Sequence, residues 1–451
     1  MSINDTDLIE VIRAGVSYKA TGAQLADQLY TPVEPLLGPA AAFPQFSVGG
    51  NPNQLYQSLS LDKVSDRFIY AWRQENNDIM YVCSIGVNDA GVLSAGTVYQ
   101  ASAAVGGRSL MVYDEAKQKT VLVWWADGIG EVVRARTLTG NASNGNLSLG
   151  PEISLSTMGN TQNGTMAVNY DKNTGKHFAS WGTDNQPEHM YGRVFTVNSN
   201  GTISLGTQKV VQAEGLEGQE YYPYGVAAHD SANKLICFYG QNDRNPQYVY
   251  SRVITISGTD FNIGGQATHF RIGNPGFGSV NPDGGPYPTR SYVFCSANNL
   301  TYQSNYKITD VGGGHPGLEH SYMKPYSCSG NTVTLQPETI LSTTESCTNI
   351  QFAYDEKSGY IVVFRERKLS NKTFNDIKVE RYRPNASGTL SLVDSFPLGE
   401  AAGSASSYCP MGKTLNLQPN SKGWLIFTYQ NENISTAAIR ARGFRVGDAQ
   451  E

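Results

Sequence analysis

A chain of 451 residues with 16% charged side chains, 47 glycines and 26 tyrosines suits many short strands joined by tight turns. Aromatic residues pack on pleated surfaces, and Gly and Asn supply positive-φ turn positions. The net charge of −5 comes from 34 basic and 39 acidic side chains spread without runs, which excludes the basic footprint of a nucleic-acid surface, and no stretch approaches the ~18 apolar residues of a membrane span, so neither nucleic acid nor membrane insertion is expected.

The chain opens on two short alternating segments, "DLIEVIR" (7–13) and "VSYKAT" (16–21), around Ala14-Gly15. They read as a hairpin, and "GAQLADQLY" (22–30) after them has the spacing of a short helix. A two-stranded hairpin alone is marginal in water, so this arm needs something to dock on. Asp7, Leu8, Val11, Arg13, Gly15, Ser17, Tyr18, Lys19, Thr21 and Leu25 follow the pattern D-L-x-x-V-x-R-x-G-x-S-Y-K-V-T-x-x-x-L, with Ala20 in place of the Val. In this the segment resembles the N-terminus of virion structural proteins of tailed phages, notably marine and cyanobacterial ones. The resemblance implies a virion location after synthesis in the host cytoplasm, with residues 1–30 as an arm that docks on other virion proteins through Arg13, Gly15, Tyr18, Lys19 and Leu25.

From residue 31 to 451 one layout recurs. "SLMVYDEAKQKTVLVWW" (109–125), "TMAVNYDKNTGKHFASW" (165–181), "YGVAAHDSANKLICFYG" (224–240) and "NIQFAYDEKSGYIVVFR" (349–365) each give a small-residue strand, an aromatic or His before Asp, a polar turn and an apolar strand. Asp114, Asp171 and Asp230 lie 57 and 59 residues apart, and Asp355 follows two periods later. Between them "TRSYVFCSANNLTYQS" (289–304) is a degenerate copy with Ala297–Asn299 in place of the Asp turn, and weaker copies at 55–72 and 413–430 bring the number to seven. Alternating third strands follow, such as "IMYVCSIGV" (79–87) and "MYGRVFTV" (190–197), then Gly/Asn turns and fourth strands such as "NGTISLGTQKVV" (200–211). This is the pattern of an all-β, seven-bladed β-propeller of four-stranded antiparallel blades, with the first strand of each lining a central channel. The last copy lacks a fourth strand, and "LLGPAAAF" (36–43) resembles the missing text, so the N-terminal strand is expected to complete the last blade and close the ring.

Chemistry-bearing motifs are few. The recurring Asp suits an Asx turn better than a calcium loop, because "HFASW" follows "DKNTGK" where a distal bidentate Glu would be needed. Cys83, Cys237, Cys295, Cys328, Cys347 and Cys409 lack metal-ligand spacing and read as free thiols, with a Cys328–Cys347 bridge as the lesser alternative. His177 and His229 read as structural, and neither metal nor cofactor is expected. Long Gly-rich stretches at 214–225, 271–290 and 309–326 place Tyr221, Tyr222, Tyr224, Phe277, Tyr287, His315, His320 and Tyr322 as candidate ligand-contacting loop residues on a propeller face. Together these features lead to a non-enzymatic virion protein, tail-associated as a fibre, knob or adaptor-bound component, displayed for attachment to a host-surface glycan or protein, or for particle assembly. Two alternatives stay open: a capsid decoration or head-fibre protein with the same arm, and a polysaccharide depolymerase of glycoside hydrolase type assembled from Glu217, Glu220, Asp283 or Glu319.

Overall fold

The structure is a computed structural model that describes residues 8–13, 16–21, 36–43, 52–74, 79–126, 132–157, 161–183, 189–213, 221–228, 234–241, 247–272, 292–310, 316–342, 350–368, 375–402, 413–414, 417–431 and 438–447. β1 (Leu8–Arg13) and β2 (Val16–Thr21) form a two-stranded antiparallel sheet of their own, with Arg13 opposite Val16. The segment expected to be a helix, 22–30, lies outside the described residues, as do Gly15 and Leu25.

After β3 (Leu36–Phe43), seven antiparallel blades follow in chain order. The first holds β4 (Pro52–Asp62), β5 (Arg67–Gln74), β6 (Ile79–Val87) and β7 (Leu93–Ala95), and ends on the start of β8 (Tyr99–Asp114). β8 is shared: Tyr99 and Gln100 pair with the third strand of the first blade, and Gly106–Asp114 become the innermost strand of the second. The second blade continues with β9 (Lys119–Ala126), β10 (Val132–Gly140), β11 (Leu147–Leu149) and β12 (Ile153–Ser154). Its fourth strand is split around Pro151, which has no N–H to donate to a ladder.

The third blade is β13 (Thr161–Asp171), β14 (Lys176–Thr183), β15 (Met190–Val197) and β16 (Ile203–Gln212). The fourth is β17 (Tyr221–Ala228), β18 (Lys234–Gln241), β19 (Gln247–Ser257) and β20 (Asp260–Ile272). The fifth is β21 (Tyr292–Cys295), β22 (Leu300–Asp310), β23 (Pro316–Ser329) and a fourth strand split into β24 (Thr332–Leu335) and β25 (Thr339–Ser342). The sixth is β26 (Ile350–Asp355), β27 (Tyr360–Lys368), β28 (Asn375–Pro384) and β29 (Leu390–Ala402). The last combines β30 (Lys413–Thr414), β31 (Trp424–Asn431) and β32 (Ala438–Arg445) with β3, which pairs antiparallel with β32 from Leu36–Arg445 to Phe43–Ile439. The innermost strands touch in cyclic order, β4, β8, β13, β17, β21, β26, β30 and back to β4, so the sheets form a closed ring.

The repeated Asp closes the turn between first and second strands, as an Asx side chain should. Asp171 Oδ1 accepts from the Asn173 N–H at 3.2 Å and Asp355 Oδ1 from the Lys357 N–H at 3.1 Å. Each described turn at this place ends on a left-handed residue: Gly175, Gly359 and Gly423 in three blades, but Asp66, Gln118 and Asn299 in three others. In the degenerate copy Asn298 Nδ2 donates to the Tyr302 hydroxyl at 2.7 Å and to the Asn385 carbonyl at 2.8 Å.

The core lies between blades. The sixth residue of the second strand is a fully buried aromatic in the first four blades, Trp72, Trp124, Trp181 and Tyr239, and each burial stabilises by about 1.5–3 kcal/mol. In the sixth blade Arg365 takes that position, and its guanidinium forks onto Glu380 at 2.7 and 2.8 Å, both side chains buried. Glu380 also accepts from the Tyr382 hydroxyl, so the ion pair is hydrogen-bonded well enough to be tolerated there.

Polar latches tie each blade to the one before it. The turn between third and fourth strands reaches back, and its carbonyls accept donors from the preceding blade: Gly145 O from Ser84 Oγ at 2.5 Å, Gly201 O from Thr137 Oγ1 at 2.7 Å, Gly330 O from Lys234 Nζ and Asn385 O from Asn298. After the last third strand, Val446 O accepts from Arg381 Nη1 at 2.5 Å in the same way.

Two outcomes are expected. Removing residues 1–30 leaves the melting temperature unchanged, whereas removing 1–45 lowers it by several degrees or aggregates the protein, because β32 then becomes an open edge. Equal thermal unfolding of the two truncations would contradict closure by β3. Separately, Gln118→Gly relieves a left-handed side chain at φ 53° and is expected to raise stability by about 0.5–1 kcal/mol, read from the denaturant midpoint at unchanged slope.

Candidate functional site

The described turns between strands one and two, and between three and four, lie at one end of the strands, the lower face, where the innermost strands surround the mouth of the ring. A cavity of about 220 Å³ sits at the mouth, lined from six of the seven blades by Ser60, Leu61 and Lys63, by Val112, Tyr113 and Glu115, by Asn169, Tyr170, Asp171 and Lys172, by Val293 and Phe294, by Tyr354 and Glu356, and by Leu417 and Gln418.

Four of the lining residues hold one equivalent position. Lys63, Glu115, Lys172 and Glu356 each follow the Asp that closes the blade's first turn, and all four are exposed. The Asp turns inward to bond its own backbone, which leaves the next side chain at the rim. Lys63 Nζ lies 2.6 Å from Glu115 Oε1 and 6.0 Å from the centre of the Tyr113 ring.

Beneath the rim the wall is aromatic and polar. Tyr170 is buried, its hydroxyl accepts from the Ala116 N–H at 3.2 Å, and burial beside Asp114 pushes its pKa up to about 12. Tyr113 is raised as well, by burial first and then by Asp62, Glu115 and Asp114, so both phenols stay neutral. Ser58 and Ser109 hydroxyls lie 2.9 Å apart across β4 and β8.

The last blade departs from the common plan. Its inner segment bonds sideways to both neighbours: Lys413 and Thr414 run parallel to Ser58 and Leu59, and the Leu417 carbonyl accepts from the Tyr354 N–H at 3.1 Å. The sequence copy at 413–430 suggested an ordinary first-and-second-strand pair. The described residues instead place this strand against the adjacent blades.

Among the described residues, none of the ligand-loop residues singled out from sequence lines this cavity. Phe277, Tyr287 and His315 lie outside the described residues, as do Glu217, Glu220, Asp283, Asp230, His229, Cys347 and Cys409. Tyr221, Tyr222 and Tyr224, expected in a loop, lie in β17, the innermost strand of the fourth blade, with Tyr221 opposite Gln241 and Tyr222 opposite Gly240. His320 and Tyr322 belong to β23, opposite Lys307 and Asn305, because β22 and β23 extend their pairing through most of the stretch read as a loop. Glu319 is in the same strand opposite Ile308. Arg13 ends β1, and Tyr18 and Lys19 lie in β2 opposite Val11 and Glu10.

Cys328 is half-buried, and Cys347, its partner in the lesser alternative, lies outside the described residues. Cys83, Cys237 and Cys295 are free and buried, and burial pushes the Cys237 thiol up to about 12.

His177 sits behind the mouth, between the second and third blades, fully buried. Its ring stacks on Phe195 at 4.8 Å and tilts against Tyr170 at 5.0 Å, and Nε2 lies 3.9 Å from Asp114 Oδ2. Burial lowers its pKa to about 3, while burial raises those of Asp62 and Asp114.

A scan against protein-family models finds no match, and neither does a search of curated sequences. Solved structures do match. An ulvan lyase of polysaccharide lyase family PL25 is similar at a TM-score of 0.52 and 8% identity, over 87% of this chain and 94% of that one. The β-propeller domain of Cps50 (Swd1) from Myceliophteria thermophila matches at 0.44 and 8%, over 90% and 100%. AofleA from Arthrobotrys oligospora matches at 0.42 and 8%, over 82% and 92%. At such identity the likeness is one of fold, and it agrees with the ring described above.

An acid limb is expected from His177. Its folded pKa of about 3 lies below the ordinary value near 6.5, so the unfolded chain takes up the proton first as pH falls. The neutral imidazole's contribution is therefore complete above about pH 6.5 and is lost progressively down to about pH 3, partly offset by Asp62 and Asp114, which hold their protons in the fold. His177→Phe should lose less stability than the native protein between pH 6.5 and about pH 4 in parallel denaturant titrations. Identical acid limbs would assign the effect to other groups.

Proposed function

We propose that the protein is a non-enzymatic virion structural protein of a tailed phage, tail-associated, which holds a propeller outward for host attachment and is mounted through residues 1–30. The observation that carries this reading is the division of labour in the chain. Among the described residues β1 and β2 pair with each other as a separate sheet, while β3, from Leu36 on, already belongs to the closed ring. An isolated hairpin ahead of a ring that is complete without it calls for a partner surface, because two strands alone are marginally stable. The pattern from Asp7 to Leu25 supports a virion as that surface.

The carboxylates of the lower mouth support a binding role over hydrolysis. Glycoside hydrolysis needs two carboxyl groups facing one sugar bond, one of them free to act as acid. Here Lys63 holds Glu115, and Asp171 is occupied by its own turn through Asn173 and Thr174.

The test is decoration of particles assembled without the native copy, with full-length protein compared against the 31–451 truncation and located by cryo-EM. Decoration by the full-length protein alone, at the tail, is the expected result. Decoration on the head would move the protein to the capsid decoration class, and equal behaviour of the two forms would remove the docking role of the arm.

A further inference from the structure

We infer that the cavity at the lower channel mouth binds one residue of a neutral saccharide, such as the end or a branch of a surface glycan. The inference deepens the attachment reading above and rests on it for its biological purpose.

Size comes first. About 220 Å³ is below the ~300–1,000 Å³ of sites that take drug-sized ligands, and it suits a single pyranose ring better than an oligomer. Charge comes second. Lys63 and Lys172 face Glu115, Asp171 and Glu356 around one opening, so neither sign dominates. A polyanion or polycation would meet a like charge beside every opposite one, and like-charge juxtaposition is costly. A ligand with many hydroxyls and no charge meets only donors and acceptors. Glu356 is exposed, and among the described residues no ion pair engages it, which leaves its two oxygens able to accept from adjacent hydroxyls.

The third argument is the wall. Tyr113, Tyr170, Phe294 and Tyr354 line the same cavity as Ser60 and Asn169. Aromatic bodies with polar tips offer an apolar surface for the C–H face of a sugar ring, and the half-buried Tyr113 carries a phenol that can donate to its edge. Mobile partners would weaken such a site, but Tyr170 is fixed through Ala116 and Lys63 through Glu115. Little ordering is left for the ligand to impose.

The experiment uses the purified full-length chain with methyl glycosides of neutral hexoses, and with glucuronic acid and glucosamine as charged counterparts. Saturation-transfer NMR reports contact, and titration gives Kd. The expected result is millimolar binding of at least one neutral glycoside, tighter than either charged sugar, with Glu356→Gln and Tyr113→Leu each weakening it about tenfold while thermal unfolding stays native. Tenfold corresponds to about 1.4 kcal/mol. Failure of every neutral glycoside to bind, preference for a charged sugar, or unchanged affinity in both folded variants would each overturn the inference. Binding without particle decoration would keep this site and remove the attachment reading, and decoration without binding would do the reverse.

Discussion

A ring of blades gains its last inter-blade surface only if its first and last members meet, and here that meeting depends on backbone pairing between residues some four hundred positions apart. β3 supplies the outer strand of the last blade, and the fit leaves no room for side chains at two points. A Cβ on Gly38 would stand 2.6 Å from the Gly91 carbonyl oxygen, and one on Gly91 would stand 2.5 Å from Trp424 Cη2. Gly91 also has φ +77°, as its turn requires, so one glycine serves both the bend and the close approach. Arg442 Nε donates to the Gly38 carbonyl at 2.7 Å, and Asp66 accepts from both the backbone and the hydroxyl of Ser421 at 2.6 Å. The seam therefore uses the general plan of the ring, a turn of one blade laid on the blade before it, since a Cβ on Gly96 or Gly150 would likewise stand 2.6 Å from the carbonyl oxygen of Gly145 or Gly201.

Much of this was legible in the sequence because each blade repeats the same local solution. An Asp that closes its own turn, a left-handed residue, and an aromatic at the sixth position of the second strand are short-range signals, and they recur. The closing strand was legible too, since 36–43 matches the fourth-strand text that the last copy lacks. Inner strands were legible where an Asp turn marked their end, as at Asp114, Asp171 and Asp355, but Tyr221 and Tyr222, assigned to a loop, belong to β17, whose sequence Tyr221-Tyr222-Pro223-Tyr224 does not alternate. In the last blade the two residues of β30 pair sideways and in parallel, a choice of partner that pattern along the chain does not encode.

The candidate site was missed for a different reason. Its signal lay next to the one that was used: the repeated Asp marks the turn, and the residue after it marks the rim. Lys63, Glu115, Lys172 and Glu356 vary in charge from blade to blade while the Asp beside them does not, as expected when one position holds the fold and the next is free to face a ligand. Attention to long Gly-rich stretches drew the reading to 214–225, 271–290 and 309–326 instead, because loop length is a cue for function and short turns are a cue for structure.

These short turns make the lower mouth a rigid place to build a site. Hydrogen bonds inside each turn and latches between blades fix the backbone that carries every rim residue, so affinity there is limited by contact area and not by ordering. One shallow subsite of this size binds weakly. A protein present in several copies on one particle gains by simultaneous engagement what a single mouth lacks, since effective concentration replaces depth. On that physical ground the attachment role proposed above would leave the copy number to the hairpin and ask of the mouth only modest selectivity for neutral sugar.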